Sequence, residues 1–181
     1  WDEPETAQKT AQAVTQLKEE VETFRSLETR VDDMEVLCDL AMEEQDESLL
    51  PELEELLAAV RADVEHLELG MLLNGEYDAN NAILTLHAGA GGTEAQDWTS
   101  MLLRMFSRFA EREGYEVEML DYLPGDEAGV KSATLQINGH NAYGYLRSEK
   151  GVHRLVRISP FDANARRHTS FAAVDVMPEL D

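Results

Sequence analysis

The sequence holds one cysteine in 181 residues, no apolar run approaching the roughly 20 residues of a membrane span, and no signal-peptide pattern at its start. Cys38 cannot close an internal disulfide, which fits the reducing cytoplasm. Its apolar helical neighbours predict a buried structural thiol. Metal ligation is equally poorly supplied. Five histidines (His66, His87, His140, His153 and His168) are scattered without ligand spacing, so neither a metal nor a cofactor is expected. Nucleophilic catalysis lacks its parts as well: Ser159 has no flanking glycines and no strand–turn–helix elbow, and no enzyme activity is expected. The chain opens at Trp1 without a methionine and stops at Asp181 directly after a strand-like run, so both ends read as cuts in something longer.

Positive charge is scarce. Fifteen lysines and arginines face 37 aspartates and glutamates, a formal net charge of −22 that argues against a phosphate backbone as partner. The distribution of that charge points the other way. Residues 1–80 carry net −18, whereas residues 81–181 carry only −4. Between 143 and 171 the sign reverses, because Arg147, Lys150, Arg154, Arg157, Arg166 and Arg167 outnumber Glu149 and Asp162. The acidic arm should avoid RNA, and the later segment can approach it.

Periodicity divides the chain in the same place. From Glu5 to about Glu47, Val14, Leu17, Val21, Phe24, Leu27, Val31 and Met34 recur at helical steps, the pattern of a core face or a short coiled coil. Ser48 and Pro51 mark a break and restart, and Leu53, Leu56, Leu57, Val60, Val64 and Leu67 form a second stripe. The spacing predicts a helical hairpin or bundle, closed by a short helix through 71–73. The turn formers of 74–81 mark the expected boundary between an acidic helical domain, 1–80, and an α+β domain, 81–181. In the latter, 82–87, 115–122, 131–137, 152–158 and 170–177 read as strands, and 93–113 and 143–148 as helices. Asn138-Gly139 reads as a turn.

Two segments carry chemistry. Ala88-Gly89-Ala90-Gly91-Gly92 precedes a helix, but the lysine and serine or threonine of a P-loop are missing, and Glu94 stands where a dinucleotide loop needs glycine. A capping box from Thr93 and Gln96 is the simplest account. Amides at the helix tip that donate to a uracil carbonyl rank second. The other segment runs from Arg157 to Ser170, and it combines a hydroxyl, flat rings and cations, the set that single-stranded RNA recognition uses. Each part has a plain alternative: Phe161 plugging the core, His168 a surface ring, Arg166 and Arg167 a solvated pair, Ser159 a turn residue.

Taken together, 88–98, Gly151-Val152-His153-Arg154-Leu155-Val156-Arg157, Ser159-Pro160-Phe161 and 166–171 resemble the bacterial class I peptide chain release factors, over essentially the whole chain. Ser-Pro-Phe is the tripeptide of the branch that reads UGA and UAA, where the UAG-reading branch has Pro-x-Thr. The resemblance implies that Gly91 and Glu94 hold the first-position uracil and that Ser159 accepts either purine at the second. It implies that His168 stacks on the second base, that Thr169 contacts the first and third, and that Val156 lies beside the third. Pro160 and Phe161 shape the loop, and Arg154, Arg157, Arg166 and Arg167 are the candidates for RNA backbone. The implied partners are the ribosome at its small-subunit decoding centre and ribosomal RNA, the mRNA stop codon, and, through the helical domain, the stalk-base protein and the class II release factor GTPase. The family's Gly-Gly-Gln loop, which serves hydrolysis, does not occur in this sequence. A codon-independent ribosome rescue factor and an acidic helical interaction module with incidental RNA binding remain as alternatives.

Overall fold

The three- and four-residue apolar spacing of the first seventy residues forms two helices, α1 (Pro4–Glu44) and α2 (Leu50–Met71). A single 3-10 turn, Glu47–Leu49, links them. The Asp46 carboxylate caps that turn by accepting from the Ser48 amide at 2.9 Å, and Pro51 sits in the first turn of α2, where its missing N–H is not needed. The computed structural model describes residues 4–180; the terminal Trp1 and Asp181 lie outside the described residues.

The short link makes α2 fold back along α1, with Arg30 Nη1 meeting Asp63 Oδ2 at 2.5 Å and Leu27, Ala41 and Val60 buried. Three expectations fail here. At about 1.5 Å per residue α1 is nearly twice as long as α2, so α2 covers only part of it. Val14, Leu17 and Val21 are consequently exposed, not core, and Phe24 and Val31 of the same stripe are exposed as well. Cys38 is exposed too, since it is turned about 100° from the covered stripe through Leu37 and Ala41. No helix follows through 71–73; α2 ends at Met71, with Leu72 as its cap.

The chain divides into Trp1–Leu72 and Leu73–Asp181, so the boundary falls earlier than residue 80. The turn-rich stretch belongs to the second unit because Asp78 is drawn inside it. This carboxylate is 1% exposed; Oδ2 accepts from the Gly75 amide at 2.8 Å, and Oδ1 forms an ion pair with Arg147 Nη1 at 2.9 Å. Backbone bonds from Gly144 to Asp78 and from Tyr143 to Asn80 fasten the same stretch.

The rest of the second unit comprises β1 (Ala82–Ala88), α3 (Thr93–Arg112), β2 (Glu116–Pro124), β3 (Val130–Asn138), α4 (Ala142–Leu146), β4 (Gly151–Ile158) and β5 (Arg167–Pro178). The strands form one sheet in the order β2-β3-β1-β5-β4, every neighbouring pair antiparallel. Period-two alternation sends Ala82, Leu84 and Leu86 of β1 inward, in register with Leu135 and Ile137 of β3 and Ala172, Val174 and Val176 of β5. On them packs α3 through Leu102, Phe106 and Ala110. Asn138-Gly139 closes no hairpin; it leads into α4, with the Gly139 amide donating to Asn81 Oδ1 at 2.9 Å. Among the described residues no helix is long and apolar enough to cross a membrane.

Removing the Asp78 carboxylate leaves the Gly75 amide without its acceptor and the Arg147 guanidinium without its ion-pair partner. Asp78→Ala should therefore lower the unfolding free energy by about 2 kcal/mol, seen as an earlier urea midpoint; an unshifted midpoint would show the acceptor to be dispensable.

Candidate nucleic-acid interface

The loop between β1 and α3 is tied to β5: the Gly89 amide donates to the Phe171 carbonyl at 2.8 Å, and the Phe171 amide to that of Ala90 at 3.3 Å. Gly91 and Gly92 then take φ values of +132° and +58°, which favour glycine. Space reinforces this at Gly91, where a Cβ would lie 3.1 Å from Ser170 Oγ and 3.2 Å from Ala95 Cβ. The expected capping box does not form. Gly92 is the N-cap of α3, and the Thr93 hydroxyl turns instead to Glu127 Oε2 at 3.3 Å. The tip of α3 is left with no side-chain cap and with Gly91 and Gly92 exposed.

In the first turn behind that tip lies the centre of the site. Glu94 is only 5% exposed, and its carboxylate accepts from Arg157 Nε at 2.5 Å and from Ser159 Oγ at 2.7 Å. Burial pushes the carboxyl up, but the bonds from Arg157 and Ser159, with the charges of Arg157 and His168, outweigh it and hold the group below its ordinary value. The same guanidinium also donates to Asp97 Oδ2 at 2.5 Å and touches Met101 Sδ at 3.6 Å. Arg157, expected to face RNA backbone, is instead a brace between β4 and α3.

Ser159 is buried, and its hydroxyl both donates to Glu94 and accepts from the Phe161 amide at 3.1 Å. Its single proton is thus engaged while one lone pair stays open. The loop behind it closes through the Ser159 amide on the Arg166 carbonyl at 3.2 Å and the Ala165 amide on that of Asp162 at 3.0 Å, with Ala165 at φ +51°. Asp162 gathers three donors: Arg166 Nε at 2.7 Å, His168 Nε2 at 2.8 Å and the Asn164 amide at 2.9 Å. The Arg166 bond, then those of His168 and Asn164, hold this carboxyl far below the usual range. Pro160 and Phe161 form the exposed tip; at 48% exposure Phe161 plugs no core.

Cross-strand register separates the remaining residues. Arg157 pairs with His168 on the side of the hairpin facing α3, whereas Val156 pairs with Thr169 on the opposite side. Glu94, Ser159 and His168 are therefore brought together, and Val156 and Thr169 approach from the far face of the same ribbon. Arg154 and Arg167 are exposed, while Arg166, though exposed, is bound to Asp162. Sequence reasoning missed Asp97 and Asp162. The first has a signal, a carboxylate three residues after Glu94 on one helix face; the second has only the Asp-Ala-Asn turn pattern. Among the described residues no group of three His, Cys, Asp or Glu side chains is placed to hold a metal ion.

Lowered carboxyl values make the site acid-labile. The stability contributed by Glu94 is complete above its ordinary 4.5 and is lost as pH falls through its lowered value; Asp162 acts with the same sign. Protection of β1 and β5 amides against exchange should fall on acidification from about pH 5 to 3, and fall less in Glu94→Gln. Equal acid sensitivity in the variant would contradict the assignment.

Comparison with known proteins gives the family. The PCRF domain family matches residues 1–174. Over all 181 residues the chain is 58% identical to peptide chain release factor 2 of Exiguobacterium sp. and of Listeria innocua, covering 50% of each. It is 55% identical to that of Staphylococcus saprophyticus, covering 48% of it. Among solved structures it resembles RF2 of Thermus thermophilus, at 51% identity and a TM-score of 0.62, with 100% of this chain and 50% of that one covered. The chain spans about half the length of the curated relatives it matches. With a match running from residue 1 to residue 174, the chain belongs to the PCRF domain family.

Proposed function

We propose that this chain reads the stop codons UGA and UAA in the ribosomal A site, as part of a translation termination factor that directs peptidyl-tRNA hydrolysis. The observation that carries the reading is the 2.7 Å bond from Ser159 Oγ to Glu94 Oε2, which joins the uncapped helix tip and the Ser-Pro-Phe loop in one site. Amides at the tip beside Gly91 suit the carbonyl that uracil presents where cytosine presents an amino group. The open lone pair of Ser159 accepts from the adenine amino group. Reading guanine requires the hydroxyl proton to swing from Glu94 to the guanine carbonyl. The half-exposed His168 ring stacks on the second base, Thr169 contacts the first and third, and Val156 borders the third. Pro160 and Phe161 shape the loop, and Arg154 and Arg167 are the cations that would meet RNA backbone.

The ribosomal small subunit and its RNA are the partners of this unit, in the cytoplasm. The helical unit, strongly acidic and with Val14, Leu17, Val21 and Phe24 exposed, suits protein partners, the stalk-base protein and the class II GTPase factor. No Gly-Gly-Gln occurs in these 181 residues, so hydrolysis is assigned to none of them.

The test uses a full-length release factor carrying residues 1–181 as its codon-reading part. Replacing Ser159–Phe161 by a Pro-x-Thr tripeptide should lower release at UGA and raise it at UAG. Ser159→Ala should reduce release at both UGA and UAA by about tenfold or more. Unchanged codon preference would overturn the reading, and release at sense codons or an empty A site would favour a rescue factor.

A further inference from the structure

We infer that Asp162 is a positioning residue of the codon-reading site, setting the orientation in which His168 meets the second base. The inference rests on the function proposed above. Its basis is the geometry of one carboxylate that binds both sides of the loop. Oδ1 accepts from the Asn164 amide, and Oδ2 accepts from Arg166 Nε and His168 Nε2. The backbone adds to this: the Asp162 amide donates to the Ser159 carbonyl at 3.4 Å, and the Asp162 carbonyl accepts from the Ala165 amide. Asp162 thus connects the residue proposed to read the second base with the ring proposed to stack on it.

Chemistry defines what this connection does. An ionised carboxylate only accepts, so the proton at the contact lies on His168 Nε2, and the ring is held by that edge. The Asp162 side chain is 9% exposed, whereas that of His168 is 40% exposed, so the anchor is shielded and the ring keeps an open surface. Stacking of a base on an aromatic ring is worth about 1–3 kcal/mol, and a ring already fixed loses less entropy when the base arrives. A purely loop-stabilising role would act equally through Arg166, which shares Oδ2 and lies within the loop itself.

That contrast supplies the experiment, in the full-length factor carrying this chain. Asp162→Asn and His168→Ala should each raise the factor concentration for half-maximal release at UAA and UGA by about tenfold, with the maximal rate held within about twofold. The double variant should be no worse than His168→Ala alone, because the carboxylate acts through the ring. Arg166→Ala, which spares the His168 bond, should cost far less. Asp162→Glu, which keeps the charge but displaces it by one methylene, is the second variant should Asp162→Asn fail to fold, and it should show the same non-additivity. Losses that add, or an Arg166→Ala as damaging as Asp162→Asn, overturn the inference while leaving codon reading intact. A His168→Ala without effect overturns both the stacking role and this inference.

Discussion

A carboxylate withdrawn from water must be met by donors, and Glu94 imposes that demand at the most sensitive point of the fold. It lies in the first turn of α3, where the helix dipole favours negative charge, and its donors come from the end of β4 and the start of the loop beyond. Satisfying it brings Arg157 and Ser159 to the helix tip. Arg157 in turn needs a second acceptor for its fork, which Asp97 provides one turn further along. Two segments distant in sequence, α3 and the end of β4 with its loop, are locked by one charge network, and the exposed residues around it inherit their positions.

The same logic operates on a smaller scale in the loop. Asp162 orders the chain from Ser159 to His168, just as Glu94 orders the junction with α3. Both carboxyls are held low by the bonds they receive, so both networks are intact at neutral pH. This alters the meaning of the basic segment between 143 and 171. Arg147, Arg157 and Arg166 are partnered by Asp78, Glu94 and Asp162, leaving a smaller free positive charge than the count of arginines suggests. A surface with few free cations gains little from indiscriminate contact with phosphate, which suits a site that distinguishes bases.

The helical hairpin follows a different rule. Its stripe is long, its partner helix is short, and its surface is densely acidic. Exposed apolar side chains amid carboxylates favour a protein partner over RNA. The sheet unit, by contrast, buries a continuous core beneath α3 and holds its loops on rigid strands.

By itself the sequence determined the element types, the two-part organisation and the segments that bear chemistry. Local periodicity reports these directly: alternation marks β1 and β3, helical spacing marks α1 to α3, and the Ser-Pro-Phe and glycine runs stand out by composition. Only the tertiary structure decided what those residues do to one another. Gly92 replaced Thr93 as the cap, Arg157 became a brace, Phe161 stayed outside, and Cys38 and the first half of the α1 stripe were left exposed. Most of these are not properties of neighbours in sequence. They depend on which partner arrives from 30 to 80 residues away, as when Ser159 meets Glu94 across a separation of 65.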